Sequence, residues 1–275
     1  MAAVTQFNSG AVAPVCSASR RESRVPFRLK AFGLHLLVST VLLTAVLGGM
    51  YLGWYRWPGW YLAGMRQVAA VLVGVDVALG PLLTLVIASP KKPRRELARD
   101  ITVIAAVQIA ALVYGSITLW SGRPLYYAFS SDRLEMVQAY DLSPTEIALG
   151  RRQNPALAPS WLSTPRWVWA PLPENAEVRK KIMSSAIFGG TDVTEMPRYF
   201  KPWNQAIPEL KRSLKKVDAL GIFSKNDKSR LKERMRQLGL ATDEPTTIFL
   251  TGRVGTVLAV FDRSTMRLEA IVGPQ

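Results

Sequence analysis

The chain has one cysteine and one histidine in 275 residues. A single Cys excludes a disulfide scaffold and a cysteine-ligated zinc site, and a single His excludes His-rich metal centres and argues against a Ser-His-Asp hydrolase. Cys16 lies in a Ser- and Ala-rich stretch with no apolar run before it, so a lipoprotein anchor is excluded too. Acidic residues are also scarce. Twenty Asp and Glu against 35 Lys and Arg leave a formal charge of +15. A soluble nucleic-acid binder this basic would read as clearly hydrophilic, yet 49% of the residues are apolar and the mean hydropathy is +0.12. Basic and apolar residues are therefore segregated into different stretches, as in a membrane protein.

Three apolar runs carry that reading. Ala31 to Tyr55 has no charged residue, Val68 to Ala88 has only Asp76, and Ile101 to Trp120 has Gln108 as its one strongly polar residue. At ~1.5 Å of rise per residue each is long enough for a hydrocarbon layer of ~30 Å. The runs predict a three-helix transmembrane domain over 31–120, with spans at about 31–55, 67–89 and 101–120. Span one is too long for a signal-peptide core, and the aromatic GWYRWPGW after it is no cleavage site. Arg20, Arg21, Arg24, Arg28 and Lys30 precede span one, and Lys91, Lys92, Arg94, Arg95 and Arg99 lie between spans two and three. The loop between spans one and two has only Arg56 and Arg66. This asymmetry predicts a cytoplasmic N-terminus, with residues 1–30 a disordered basic tail, and sends residues 121–275 to the periplasm of a bacterial inner-membrane protein. Trp54, Trp57, Trp60 and Trp120 read as anchors at the interface with the bilayer.

Asp76 is the costly residue. A carboxylate near mid-span is unfavourable by roughly 2.5–3.5 kcal/mol unless it finds a partner or a proton. Helical rise puts Gln108 at nearly the same depth, with Ser39, Thr40 and Thr44 close to it on span one. These residues predict a polar knot joining the three helices. Gly80-Pro81 should disturb span two one turn later and free backbone carbonyls for the knot.

Residues 121–275 have no cysteine and read as one domain held together by burial. Strands are expected in PLYYAFS and RLEMVQAY, around a turn at Ser131-Asp132, and again in TTIFLTG, GTVLAVFD and RLEAIVG. Ser143 and Glu146 form a helix-start signature, and helices are expected over Glu174–Phe188, from Pro208 to Leu220, and from Ser224 to Leu238. The expected fold class is an integral membrane protein with three N-terminal transmembrane helices and a C-terminal α+β periplasmic domain, whose small antiparallel sheet carries helices on one face. No catalytic set, metal site or cofactor motif stands out, so no enzymatic activity is expected. Ser213-x-x-Lys216 lacks the partner triplets of penicillin-binding proteins. The basic run Lys225–Arg236 suits a solvated helix face or an acidic surface, and nucleic acid is not expected outside the cytoplasm. Asp192 with Glu195 is the one faint carboxylate pair that would serve the alternative, a membrane-bound transferase acting on pilin or on a lipid-linked substrate.

Several stretches together resemble the TfpX/TfpZ-like type IV pilin accessory proteins. They are RLKAFGLHLLVS, GVDVALGPLLTLVI, QIAALVYGSITLWSGRPLYYAFSSDRLEMV, MPRYFKPW and TGRVGTVLAVFDRSTMRLEAIVG. The Gly-Val-Asp-x-x-x-Gly-Pro pattern falls on Gly74, Val75, Asp76, Gly80 and Pro81. The last turn departs from the family, in which Gly often follows Asp-x-x-Thr; here Met266 follows Thr265. The resemblance implies a non-enzymatic factor that stabilises or presents a cognate major pilin at the inner membrane before assembly, with the lipid bilayer as its other partner.

Overall fold

The computed structural model describes residues 24–89, 92–221 and 223–273. Three helices are long and apolar enough to cross a membrane: α1 (Arg24–Gly53), α2 (Met65–Ile87) and α3 (Arg94–Ser121). Large apolar side chains such as Leu37, Val86 and Val107 are exposed along them, which suits surrounding hydrocarbon. Helix α1 begins at Arg24, inside the stretch expected to be a disordered tail. Pro26 falls in its first turn, where a missing N–H leaves no helical bond unmade. The rest of that expected tail, residues 1–23, lies outside the described residues.

Helix α2 is interrupted. Gly74–Leu79 winds as a π-helix between the α-helical segments Met65–Val73 and Gly80–Ile87. Pro81 has no N–H to return to the preceding turn, and its ring crowds the carbonyl there, so the widened turn sits directly before it.

The chain divides into two compact units, Met1–Leu42 with Val73–Ala111, and Leu43–Leu72 with Leu112–Gln275. The second unit therefore takes in the connection between α1 and α2 as well as the α+β region.

That region is built on a seven-stranded sheet in the order β4-β3-β1-β2-β5-β6-β7. The strands are β1 (Pro124–Ser130), β2 (Arg133–Gln138), β3 (Arg166–Trp169), β4 (Lys201–Pro202), β5 (Thr247–Thr251), β6 (Thr256–Phe261) and β7 (Leu268–Val272). Most neighbours are antiparallel, as expected, but β3 runs parallel to β1 and β5 parallel to β2. Parallel neighbours require long crossovers, and the segments after β2 supply them. Every residue of β1 is buried. Such a strand is covered on both sides, and the sequence expectation of helices on one face is corrected accordingly. Tyr127, Phe129, Leu134, Leu250 and Val257 pack on one side with Leu210 of α6 (Ile207–Ser213). On the other side Ala128 and Val137 meet Ile182 of α5 (Ala176–Ile187), and Leu258 and Val260 meet Leu231 and Met235 of α7 (Lys225–Gln237).

The helix starts follow from their caps. Ser143 Oγ accepts from the Glu146 amide ahead of α4 (Pro144–Gln153), Asn175 Oδ1 accepts from Glu177 and Val178, and Ser224 Oγ accepts from Asp227. Helix α6 stops at Ser213 where the spacing predicted continuation to Leu220. Lys215 instead pairs with Thr247, through backbone bonds of 2.8 and 3.1 Å. A 3₁₀ turn at Val217–Ala219 keeps Val217 and Leu220 buried at the spacing that imitates a longer helix.

Candidate functional site

Within the first unit, a polar cluster ties α1, α2 and α3 together. Gln108 of α3 donates through Nε2 to the backbone carbonyl of Asp76 at 3.1 Å, and its Oε1 lies 2.7 Å from His35 Nε2. The other ring nitrogen of His35 is 2.6 Å from Thr84 Oγ1, and Thr84 in turn sits 3.2 Å from the Gly80 carbonyl. Both ring nitrogens of His35 are thus engaged, one with Gln108 and one with Thr84. Gly80 makes room for this, because a Cβ there would collide with the Gln108 amide. The π segment presents the Asp76 carbonyl to Gln108.

The carboxylate of Asp76 is not part of that network. Asp76 is 5% exposed, its Oδ2 is buried with no hydrogen-bond partner, and it forms no ion pair among the described residues. A carboxyl group in apolar surroundings that no partner compensates is the unspent polar group of the cluster.

Gln108 thus stands beside Asp76 as the depth count suggests, but it binds the main chain. Gly80 and Pro81 are buried next to it. Ser39 is half-buried and Thr40 exposed, and neither side chain makes a hydrogen bond among the described residues; the same holds for exposed Thr44, which belongs to the second unit. The hydroxyls read from span one are therefore not in the cluster, and His35, one turn before Ser39, takes their place. The signal was present as the chain's one histidine, set in an otherwise apolar run with two ring nitrogens to satisfy.

In the second unit Trp54 and Trp57 are bound to the α+β region. Trp54 Nε1 donates to the Ser163 carbonyl at 2.8 Å and its ring meets Trp120 edge-on at 5.0 Å. Trp57 Nε1 donates to the Ile271 carbonyl at 2.9 Å. Trp60 is half-buried against Tyr55, Met65 and Leu119. The Tyr55 hydroxyl donates to the Leu119 carbonyl at 2.7 Å, and burial pushes its phenol well above the ordinary range. Leu62, fully buried, belongs to the core of the sheet, and its carbonyl accepts from the Val254 amide at 3.1 Å. Gly252 permits this contact, since a Cβ there would lie 2.8 Å from the Leu62 carbonyl oxygen.

The carboxylates near Glu195 separate in role. Asp192 is paired with Arg133 at 3.0 Å and caps Val193. Glu195, Glu135 and Asp141 line a cavity of 180 Å³. Burial, helped by the charges of Asp141, Asp192 and Glu135, pushes the Glu195 carboxyl up to about 7. No group of three or more His, Cys, Asp or Glu side chains placed to hold a metal is found among the described residues. Ser213 Oγ donates to the Ser131 and Glu209 carbonyls, so its hydroxyl is occupied at the end of α6. On α7, Lys232 pairs with Asp218 at 2.6 Å and Arg236 with Glu233 at 2.9 Å.

The chain is 27% identical over 197 residues to a fimbrial assembly protein of serogroup I from Dichelobacter nodosus, covering 70% of this chain and 74% of that protein. It is 28% identical over the same length to the serogroup E1 protein of that organism, at the same coverage. A third relative, the fimbrial assembly protein of serogroups C1 and C2, is 28% identical over 126 residues, 46% of this chain and 96% of its own. No family model and no solved structure matches.

Proposed function

We propose that this protein is an accessory factor of type IV pilus biogenesis, which holds a cognate pilin in the bacterial inner membrane before the pilin enters the filament. The likeness to proteins named for fimbrial assembly carries the reading. At 70% of the chain, the match is too long to fit within residues 121–275, so it takes in part of the membrane helices as well. The arrangement suits a client with an apolar helix in the bilayer and a globular head outside. The exposed apolar faces of α1 and α3 offer a lateral surface in the bilayer to the client's helix, and the α+β region offers a second contact to its head. Two weak contacts made by one chain reinforce each other through effective concentration. No catalytic step is needed.

Binding of this kind shifts the client away from its unassembled, degradable form by RT ln(1 + [L]/Kd). Deleting the gene should therefore lower both surface pili and the amount of one pilin, with that pilin's transcript unchanged. Normal pilin and normal pili in the deletion strain would sink the proposal, and the mass of the mature pilin would then test the transferase alternative. The proposed orientation, with the α+β region in the periplasm, predicts that a reporter active only outside the cytoplasm works after Trp60 or Gln275 and is silent after Arg95.

A further inference from the structure

Just past the end of α3, Arg123 is 8% exposed and has no carboxylate partner among the described residues. One of its five N–H donors is used, from Nη1 to the Trp120 carbonyl at 2.6 Å, and its Nε is buried without a partner. The guanidinium lies 4.2 Å over the Trp120 ring. Burial pulls its pKa below the ordinary arginine range, as expected for a cation with no counter-charge. It lines an open cavity of 460 Å³ in the second unit, together with Tyr140, Arg151, Ser160 and the indoles of Trp120 and Trp161. Arg151 is exposed and makes no ion pair among the described residues.

A cavity with two uncompensated guanidinium groups and aromatic walls is matched to a phosphate ester. Its position points to the source. Trp120 closes an apolar helix long enough to span a membrane, and Trp161 of the cavity wall and Leu162, next to it in sequence, are 71% and 62% exposed. Exposed indole and leucine at the end of such a helix belong at the level of lipid headgroups. We infer that this cavity is a binding site for the phosphate of an anionic phospholipid headgroup, held by Arg123 and Arg151. This inference is independent of the pilin-holding role, since a protein of any function with these helices could carry the site.

The test uses the purified full chain in detergent, with bound lipid read by native mass spectrometry and by the shift in melting temperature. Phosphatidylglycerol should be retained and should raise the melting temperature, whereas phosphatidylcholine should do so at least tenfold more weakly. Arg123→Gln should weaken phosphatidylglycerol retention about tenfold and Arg151→Gln severalfold, while Arg123→Lys keeps part of it and Arg230→Gln on exposed α7 changes nothing. Arg151→Gln keeps the test valid if Arg123→Gln does not fold, because Arg151 is exposed. Equal retention of the two lipids, or wild-type retention in Arg151→Gln, overturns the site. Full competition by millimolar inorganic phosphate overturns the lipid assignment, and so does stronger binding of an acidic peptide than of lipid.

Discussion

The indole of Trp57 donates to the carbonyl of Ile271 across 214 positions of sequence. Together with Leu62 in the core of the sheet, it makes the connection between α1 and α2 a structural part of the second unit. Residues 121–275 produced alone should therefore be less stable and more prone to aggregate than the same region with residues 54–65 present. Leu62→Ala in the full chain should cost about 2–5 kcal/mol, as deletions of fully buried leucines do. Denaturant unfolding followed by tryptophan fluorescence measures both, and an unchanged midpoint in Leu62→Ala would show that the segment is not part of the core.

Gly80 and Gln108 should couple strongly. Gly80→Ala forces the Gln108 amide aside, and because that amide is the flexible end of a side chain, the loss lies in its bonds to His35 and the Asp76 carbonyl rather than in a rigid clash. The expected cost is about 1–3 kcal/mol in the wild-type background and close to zero in a Gln108→Ala background. A double-mutant cycle on melting in detergent reads the difference, and equal costs in the two backgrounds would remove Gln108 from the role given to it.

Much of this was legible because local physics sets it. Caps at Ser143 and Ser224, the β1–β2 hairpin and the three apolar runs each depend on residues close together in sequence. What was not legible depends on distant pairing. The parallel neighbours of β1 and β2 are separated from them by long crossovers, and no short-range signal marks that Leu62 belongs to the core of the sheet. In the polar cluster, depth placed Gln108 beside Asp76, but rise along a helix says nothing about rotation. His35 and not Ser39 therefore faces Thr84 and Gln108.

Met266 carries a conformation that favours glycine. Its φ is +54°, its amide donates to the Asp262 carbonyl at 2.8 Å, and its side chain is buried in the core. Asp262 holds the turn by accepting from the Ser264 and Thr265 amides and hydroxyls, bonds that keep its carboxyl down at about 2. With Met here, this chain accepts roughly 1–2 kcal/mol of left-handed strain and gains a buried side chain. Met266→Ala should cost about 2–5 kcal/mol, and Met266→Gly about 1 kcal/mol less despite its greater freedom when unfolded. If the glycine variant melts below the alanine variant, backbone strain at this position is not significant.

The Glu195 carboxyl, raised by burial from 4.5 to about 7, makes stability depend on pH. The folded state keeps a proton that the unfolded chain gives up, so this contribution is complete below about pH 4.5 and is lost as pH rises through 7. Glu195→Gln removes the dependence. The wild type should lose about 1–2 kcal/mol relative to Glu195→Gln between pH 5 and 7.5, a figure reduced because the group is only half-buried. Denaturant midpoints at the two pH values decide it, and parallel losses in both proteins would mean that Glu195 titrates normally.

Asp76 separates fold from function. Gln108 bonds to its backbone carbonyl, which any residue provides, so Asp76→Asn and Asp76→Leu leave the cluster with His35 and Thr84 intact. Leu also removes a buried carboxyl that no partner compensates, a burden of roughly 2.5–3.5 kcal/mol at mid-span. Both variants should therefore accumulate to at least wild-type levels. Asp76→Lys should accumulate poorly, because it brings a cation to a place with no acidic partner. If the carboxyl is kept to grip a client helix, the Asn and Leu variants should nonetheless show fewer surface pili than the wild type. Immunoblots of the protein and counts of surface pili, made on the same strains, supply both readings. Normal piliation with Asn and Leu would mean the carboxyl contacts no client, and depleted protein in those two variants would mean that Asp76 serves the fold.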